Sequence, residues 1–221
     1  MGLGKLFQSA KKIPVLAYHA DEAESGWQKQ LIAQWQSLKN EGIQCLSLDD
    51  FLAIARAEKA APDKAFLLTL DGVSQLAELR QLLSDMDWSA TAFVSAEALL
   101  AADLKSLFGG DRPVLQLAMG GYYRDDYAAL PLADAMGNLR SMVAAFDQAG
   151  IAYQKVMAYP KGNIPKSRND LILLKALMAD TGIEAAFKLD GKPERVPSID
   201  FYEISRIAVS ATDALNLSKI K

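Results

Sequence analysis

A single histidine, His19, and a single cysteine, Cys45, stand in a chain of 221 residues. Zinc hydrolases commonly place two or three imidazoles on one ion, with thiolates as substitutes, so this composition excludes a zinc site built from histidines. The same scarcity restricts Ser-His-Asp or Cys-His chemistry to arrangements in which His19 itself is the base. One cysteine forms no internal disulfide. No segment approaches the roughly 18 apolar residues of a membrane span, and the N-terminal Lys5, Lys11 and Lys12 accompany no apolar stretch of the secretory type. The expectation is a cytoplasmic protein without a transmembrane segment. A basic block is also missing: 24 Lys and Arg are interspersed with 27 Asp and Glu for a net charge of −3, which argues against nucleic acid as a partner. Small molecules, carbohydrates or proteins are the expected partners.

Apolar residues are plentiful, at 51% of the chain, enough for a substantial core. Short apolar runs alternate with segments of helical period, the signature of repeated β-α units. Strands are expected at 13–18, 44–47, 65–70, 90–94, 114–117, 156–159, 184–187 and 203–209. Between them, apolar residues recur three and four apart: Leu31, Trp35 and Leu38; Leu79, Leu82, Leu83 and Met86; Met136, Leu139, Val143 and Phe146; Leu171, Leu174, Leu177 and Met178. Ser47 with Asp50 resembles a capping box opening a helix, and Gly42, Gly150 and Gly182 sit where helices end in a left-handed residue. The predicted class is α/β, a distorted β/α barrel of about seven strands, whose functional groups gather where strands run into loops. Residues 1–12 are expected to be an N-terminal extension and 13–221 a single domain.

Four strand ends carry chemistry. His19 closes Pro14-Val15-Leu16-Ala17-Tyr18-His19, and Asp71 with Gly72 closes Thr69-Leu70-Asp71-Gly72. The stretch Met119-Gly120-Gly121-Tyr122-Tyr123-Arg124-Asp125-Asp126-Tyr127 offers aromatic faces and charged groups suited to sugar rings and hydroxyls. Tyr159-Pro160-Lys161-Gly162-Asn163 reads as a turn after a strand. The candidate catalytic residues are His19 and Asp71, and the candidate ligand-binding residues are Tyr122, Tyr123, Asp125, Tyr159 and Arg206.

In this order the corners resemble the polysaccharide deacetylase family, the NodB-like carbohydrate esterases. Residues 13–19 are similar to its opening Pro-Val-Leu-x-Tyr-His, and 66–72 to its Leu-Thr-Phe-Asp-Asp-Gly. Ala90-Thr91-Ala92-Phe93-Val94 resembles its Ala-Thr-Phe-Phe-Val strand and Tyr159-Pro160-Lys161-Gly162 its Tyr-Pro-Tyr-Gly. Residues 204–207 resemble its late Pro-Arg-Ile segment and bring Arg206 to a family position. The resemblance implies a distorted β/α barrel. In the family it also implies hydrolysis of the C–N bond of N-acetylated sugars on zinc or another divalent metal, held by an Asp of the third-strand motif and two histidines four residues apart after the fifth strand.

This chain departs from that plan. The paired acids shrink to Asp71, which corresponds either to the family's metal ligand or to its base. Met119 and Tyr123 fall at the two histidine positions, and the late histidine has no counterpart after Arg206. A neutral thioether and a phenol with an ordinary pKa near ~10 do not replace imidazole on zinc. No metal or other cofactor is therefore expected, and enzymatic status stays open. The leading expectation is a deacetylase-like domain without the metal-dependent reaction, binding a carbohydrate, a small sugar derivative or a protein partner in glycan metabolism. Two alternatives stand beside it: a metal-independent carbohydrate hydrolase using His19 and Asp71, and a structural assembly subunit.

Overall fold

The computed structural model describes residues 10–20, 27–101, 103–109, 113–197 and 199–210; residues 1–9 of the expected extension lie outside the described residues. The first apolar run divides at Pro14, which has no N–H to give a ladder. Lys11–Ile13 (β1) pairs antiparallel with Glu194–Val196 (β9), and Val15–His19 (β2) enters the main sheet. The other strands are Gln44–Leu46 (β3), Ala65–Asp71 (β4), Ala90–Val94 (β5), Leu115–Met119 (β6), Gln154–Ala158 (β7), Ala185–Leu189 (β8) and Ile204–Ala208 (β10). All eight strands of the main sheet run parallel. Because β2 pairs with both β4 and β10, seven of them close the ring β2-β4-β5-β6-β7-β8-β10, and β3 adds to β4 outside it.

Helices cover the outside of the ring: Trp27–Asn40 (α1), Leu76–Met86 (α3), Ala96–Ala101 (α4), Leu132–Gln148 (α5) and Arg168–Asp180 (α6). Three of the expected apolar stripes are the buried faces of α1, α3 and α6, with Leu82 of the α3 stripe half-buried. In α5 the stripe is turned: Ala135, Leu139, Met142 and Phe146 are buried, while Met136 and Val143 are half-buried. Leu48–Ala55 (α2) is opened by Ser47, whose Oγ accepts from the Asp50 N–H at 3.1 Å. It sits at the end of the barrel where strands begin, and Arg56 just past it pairs with Glu184, which precedes β8.

Strand alternation separates two cores, because successive side chains point to opposite faces. Leu68, Leu70, Ala92, Leu117, Met119, Met157 and Tyr159 join the helices in an outer layer. Leu67, Phe93, Ala118, Ala158, Phe187 and Ile204 fill the ring with Phe51 of α2. An aromatic column runs through this inner core, with Phe51 and Phe187 centroids 6.5 Å apart and Phe187 and Phe93 5.3 Å apart. It carries what stands at the mouth.

Candidate functional site

The column ends under Arg206. This side chain, on β10, is 1% exposed, and its guanidinium carbon lies 5.1 Å from the Phe93 ring centroid, in cation–π range. Its Nη1 donates to Asp71 Oδ1 at 2.7 Å, and lies 3.4 Å from Thr69 Oγ1, whose hydroxyl donates to the Leu16 carbonyl at 2.8 Å. Among the described residues, Arg206 Nε has no acceptor. A guanidinium is taken out of water only where its charge is matched, and here, among the described residues, the match is the Asp71 carboxylate, reached across β2 from β10 to β4. Asp71 ends β4, its backbone clamped by the Ala20 N–H donating to the Asp71 carbonyl at 2.7 Å. His19 ends β2 as the register partner of Asp71. Among the described residues, no hydrogen bond joins their side chains; the Asp71 carboxylate is engaged by Arg206 instead.

Above this pair opens a cavity of about 620 Å³, within the roughly 300–1,000 Å³ usual for small-molecule sites. His19, Asp71, Arg206 and Phe93 form its floor and wall; Ser95 and Glu97 come from the junction of β5 with α4 and its first turn, and Arg124 and Lys161 from the loop and turn that follow β6 and β7. Backbone conformation locks those loops. Gly121 has φ +94°, and a Cβ there would lie 2.5 Å from Pro160 Cγ, so the loop after β6 rests directly on the turn after β7. Asn163 Nδ2 donates to Asp126 Oδ2 at 3.0 Å across the same junction. Gly162, at φ +74°, leaves no room between its Cα and Leu189.

The expected site residues separate into two groups. His19, Asp71 and Arg206 converge on the cavity. Tyr159 touches it from β7's end, but its side chain is 1% exposed and belongs to the outer layer, where the hydroxyl donates to the Tyr202 carbonyl at 3.0 Å. Burial first, then the charges of Glu203 and Asp200, push that phenol far above its ordinary pKa, so it stays protonated. Tyr122 and Tyr123 pack edge to face at 4.7 Å, Tyr123 is 49% exposed, and neither is among the residues lining the cavity. Asp125 is exposed and also outside that lining; its charge, after burial, raises the Tyr127 phenol. Arg124 belongs to the stretch whose charged groups suit sugar hydroxyls, whereas Glu97 and Lys161 carry no such signal in the sequence. Their signal was position: each follows closely on a strand of the ring.

The residues at the mouth do not suit a divalent metal of the kind the resemblance implies. Asp71 already neutralises a buried guanidinium. Met119 is wholly buried and points outward among the helices, since Ala118 takes the inward place on β6. Among the described residues, no group of three His, Cys, Asp or Glu side chains is placed to hold an ion.

This architecture, a closed ring of seven parallel strands with helices around it, is the fold of the polysaccharide deacetylases. No protein-family model and no curated protein matches the chain. Among solved structures, it is similar to the Streptococcus pyogenes deacetylase PplD, with a TM-score of 0.79 at 15% identity over 96% of this chain and 100% of that one. The Aggregatibacter actinomycetemcomitans de-N-acetylase gives 0.71 at 14% identity over 95% and 99%. BC0361, a polysaccharide deacetylase from Bacillus cereus, gives 0.71 at 15% over 96% and 70%. Among the described residues, no helix is long and apolar enough to cross a membrane.

Proposed function

We propose that this chain is a deacetylase-fold domain that binds a carbohydrate at the barrel mouth and does not carry out metal-dependent N-deacetylation. The observation that carries this reading is the Asp71–Arg206 pair: the acid at the end of β4 faces a fixed internal cation at 2.7 Å. A divalent ion at Asp71 would have to displace or repel a guanidinium that, among the described residues, forms an ion pair with Asp71 and no other acid. The similarity to BC0361, described as a polysaccharide deacetylase, supports a saccharide as the ligand. An open cavity of about 620 Å³ favours ligand binding over a purely structural role.

The test has two arms on the purified chain. Acetate release from N-acetylated chito-oligosaccharides, with and without added zinc or cobalt, is expected to stay at background. Ligand-observed NMR with a panel of neutral and acidic sugars is expected to show binding that is lost in a variant closing the cavity, Ala98→Trp. Metal-stimulated turnover of about 1 s⁻¹ or more would overturn the proposal.

A further inference from the structure

Arg206 meets Asp71 end-on. An arginine and a carboxylate can share two parallel hydrogen bonds, but here one forms, from Nη1 to Oδ1 at 2.7 Å, and the other contact of Nη1 is Thr69 Oγ1 at 3.4 Å. Nη2 of Arg206 and Oδ2 of Asp71 make no hydrogen bond among the described residues, and unlike the buried Nε neither is closed off from solvent. Both side chains line the cavity. A guanidinium otherwise sealed in protein, at 1% exposed, keeps one donor edge on that cavity, and a carboxylate oxygen free of partners belongs to the same ion pair. The two charges cancel within the pair, so a ligand meets a donor and an acceptor with no net charge.

Resting on the carbohydrate-binding reading, we infer that this couple holds two neighbouring hydroxyls of a neutral sugar ring: Nη2 donates to the oxygen of one, and the O–H of the other donates to Oδ2. A hydroxyl both accepts and donates, so adjacent ring hydroxyls supply the two functions side by side. An N-acetyl group does not, because its amide is planar and trans, with C=O and N–H pointing in opposite directions. A ligand carboxylate or phosphate brings acceptors that oppose Oδ2, and an ammonium brings donors that oppose Nη2. Both partners are fixed before a ligand arrives. Thr69, whose hydroxyl donates to the Leu16 carbonyl, stands against Nη1, and the Ala20 N–H holds the Asp71 carbonyl at 2.7 Å. Such preorganisation lowers the cost of binding.

The experiment is calorimetric titration of the full chain with the methyl glycosides of glucose, mannose and galactose and with glucuronate, followed by the monodeoxy and monofluoro analogues of the neutral sugar that binds tightest. Deleting either of two adjacent hydroxyls is expected to weaken binding by roughly tenfold or more, the loss of one hydrogen bond to a charged partner, and deleting any other by less than about threefold. Fluorine accepts but does not donate, so it is expected to cost less at the hydroxyl facing Arg206 than at the one facing Asp71. In Asp71→Asn the penalty for deleting the second of these hydroxyls is expected to shrink to less than about threefold, while that for the first persists; a variant that is merely destabilised would keep the parent's pattern. The fluorine comparison needs no variant. If no deletion costs more than about threefold, if the two costly hydroxyls are not adjacent, if fluorine costs the same at both, or if Asp71→Asn keeps the parent's pattern, the inference is overturned and the carbohydrate reading stands. The same holds if glucuronate binds and no neutral sugar does. If no sugar binds at millimolar concentration, both fall.

Discussion

Replacing Arg206 by methionine keeps an unbranched stem on β10 but removes the charge from beneath the cavity. The cost follows from the contacts. Asp71, its side chain 14% exposed, loses a hydrogen bond of 2.7 Å to a charged donor, an interaction worth about 1.5–3 kcal/mol. The stacking on Phe93 at 5.1 Å goes with it, at about 1 kcal/mol. Burying methionine instead of a guanidinium whose Nε has no acceptor returns part of this. The net is about 3 kcal/mol of destabilisation, equivalent in a domain of this size to roughly 6–12 °C in Tm. Asp71→Asn keeps an acceptor near Nη1 but withdraws the balancing charge, at about 1–2 kcal/mol. With both changes no unpaired charge is left, so the double variant falls short of the sum by about 2 kcal/mol, the coupling of the pair. Urea unfolding followed by tryptophan fluorescence, which senses the buried Trp35 and Trp88, and by circular dichroism measures all four corners of the cycle. A coupling under about 0.5 kcal/mol would refute the claim that these two charges satisfy each other.

Gly162→Ala places a Cβ at φ +74° against Leu189, and is expected to cost about 1–3 kcal/mol in thermal unfolding. Ser47→Ala removes the acceptor of the Asp50 N–H, with an expected loss of about 1 kcal/mol by the same measurement. Lys175 bonds Asp200 Oδ2 at 2.7 Å and Glu203 Oε1 at 2.5 Å. For Lys175, burial lowers its pKa, but the two acids outweigh burial and hold it above the ordinary lysine value. For Asp200, burial raises its pKa, but Lys175, the Tyr202 N–H and the charge of Lys188 together outweigh burial and hold it below the ordinary carboxylate value. The Lys175 contribution is therefore complete below about pH 10.4 and lost as pH rises through its raised folded pKa, whereas that of Asp200 is complete above about pH 3.9 and lost as pH falls through its lowered one. In Lys175→Met both edges flatten, and the difference in urea midpoint from the parent chain stays level from about pH 5 to 9; a difference that drifts across that range contradicts the assignment.

The ring was legible because its strands are short apolar runs between amphipathic helices, and tertiary context moved their ends by no more than two residues. The ribbon of β1 and β9 was not, since three-residue strands are too short to show a period. At the mouth, His19 and Asp71 were legible as strand-end polar residues. Their relation to Arg206 was not, because the Asp71–Arg206 contact spans 135 residues of sequence and depends on ring closure through β2. Tyr159 is among the residues lining the cavity, but the direction of its ring depends on strand parity. Tyr159 follows Ala158, which faces inward, so its ring turns out to the helices. Met119 follows the same rule beside Ala118, which is why matching it to a histidine position says little about the cavity. Lys161 stands in a segment whose sequence reads as a turn and resembles a family motif, and its left-handed backbone becomes apparent only when φ is known.

The most direct measurement of the central claim is a zinc titration of chelator-treated protein beside its Asp71→Ala variant. With Arg206 serving as the counter-charge of Asp71, both proteins are expected to show the same weak, non-stoichiometric uptake. Tight binding of one ion per chain that disappears in Asp71→Ala would contradict it.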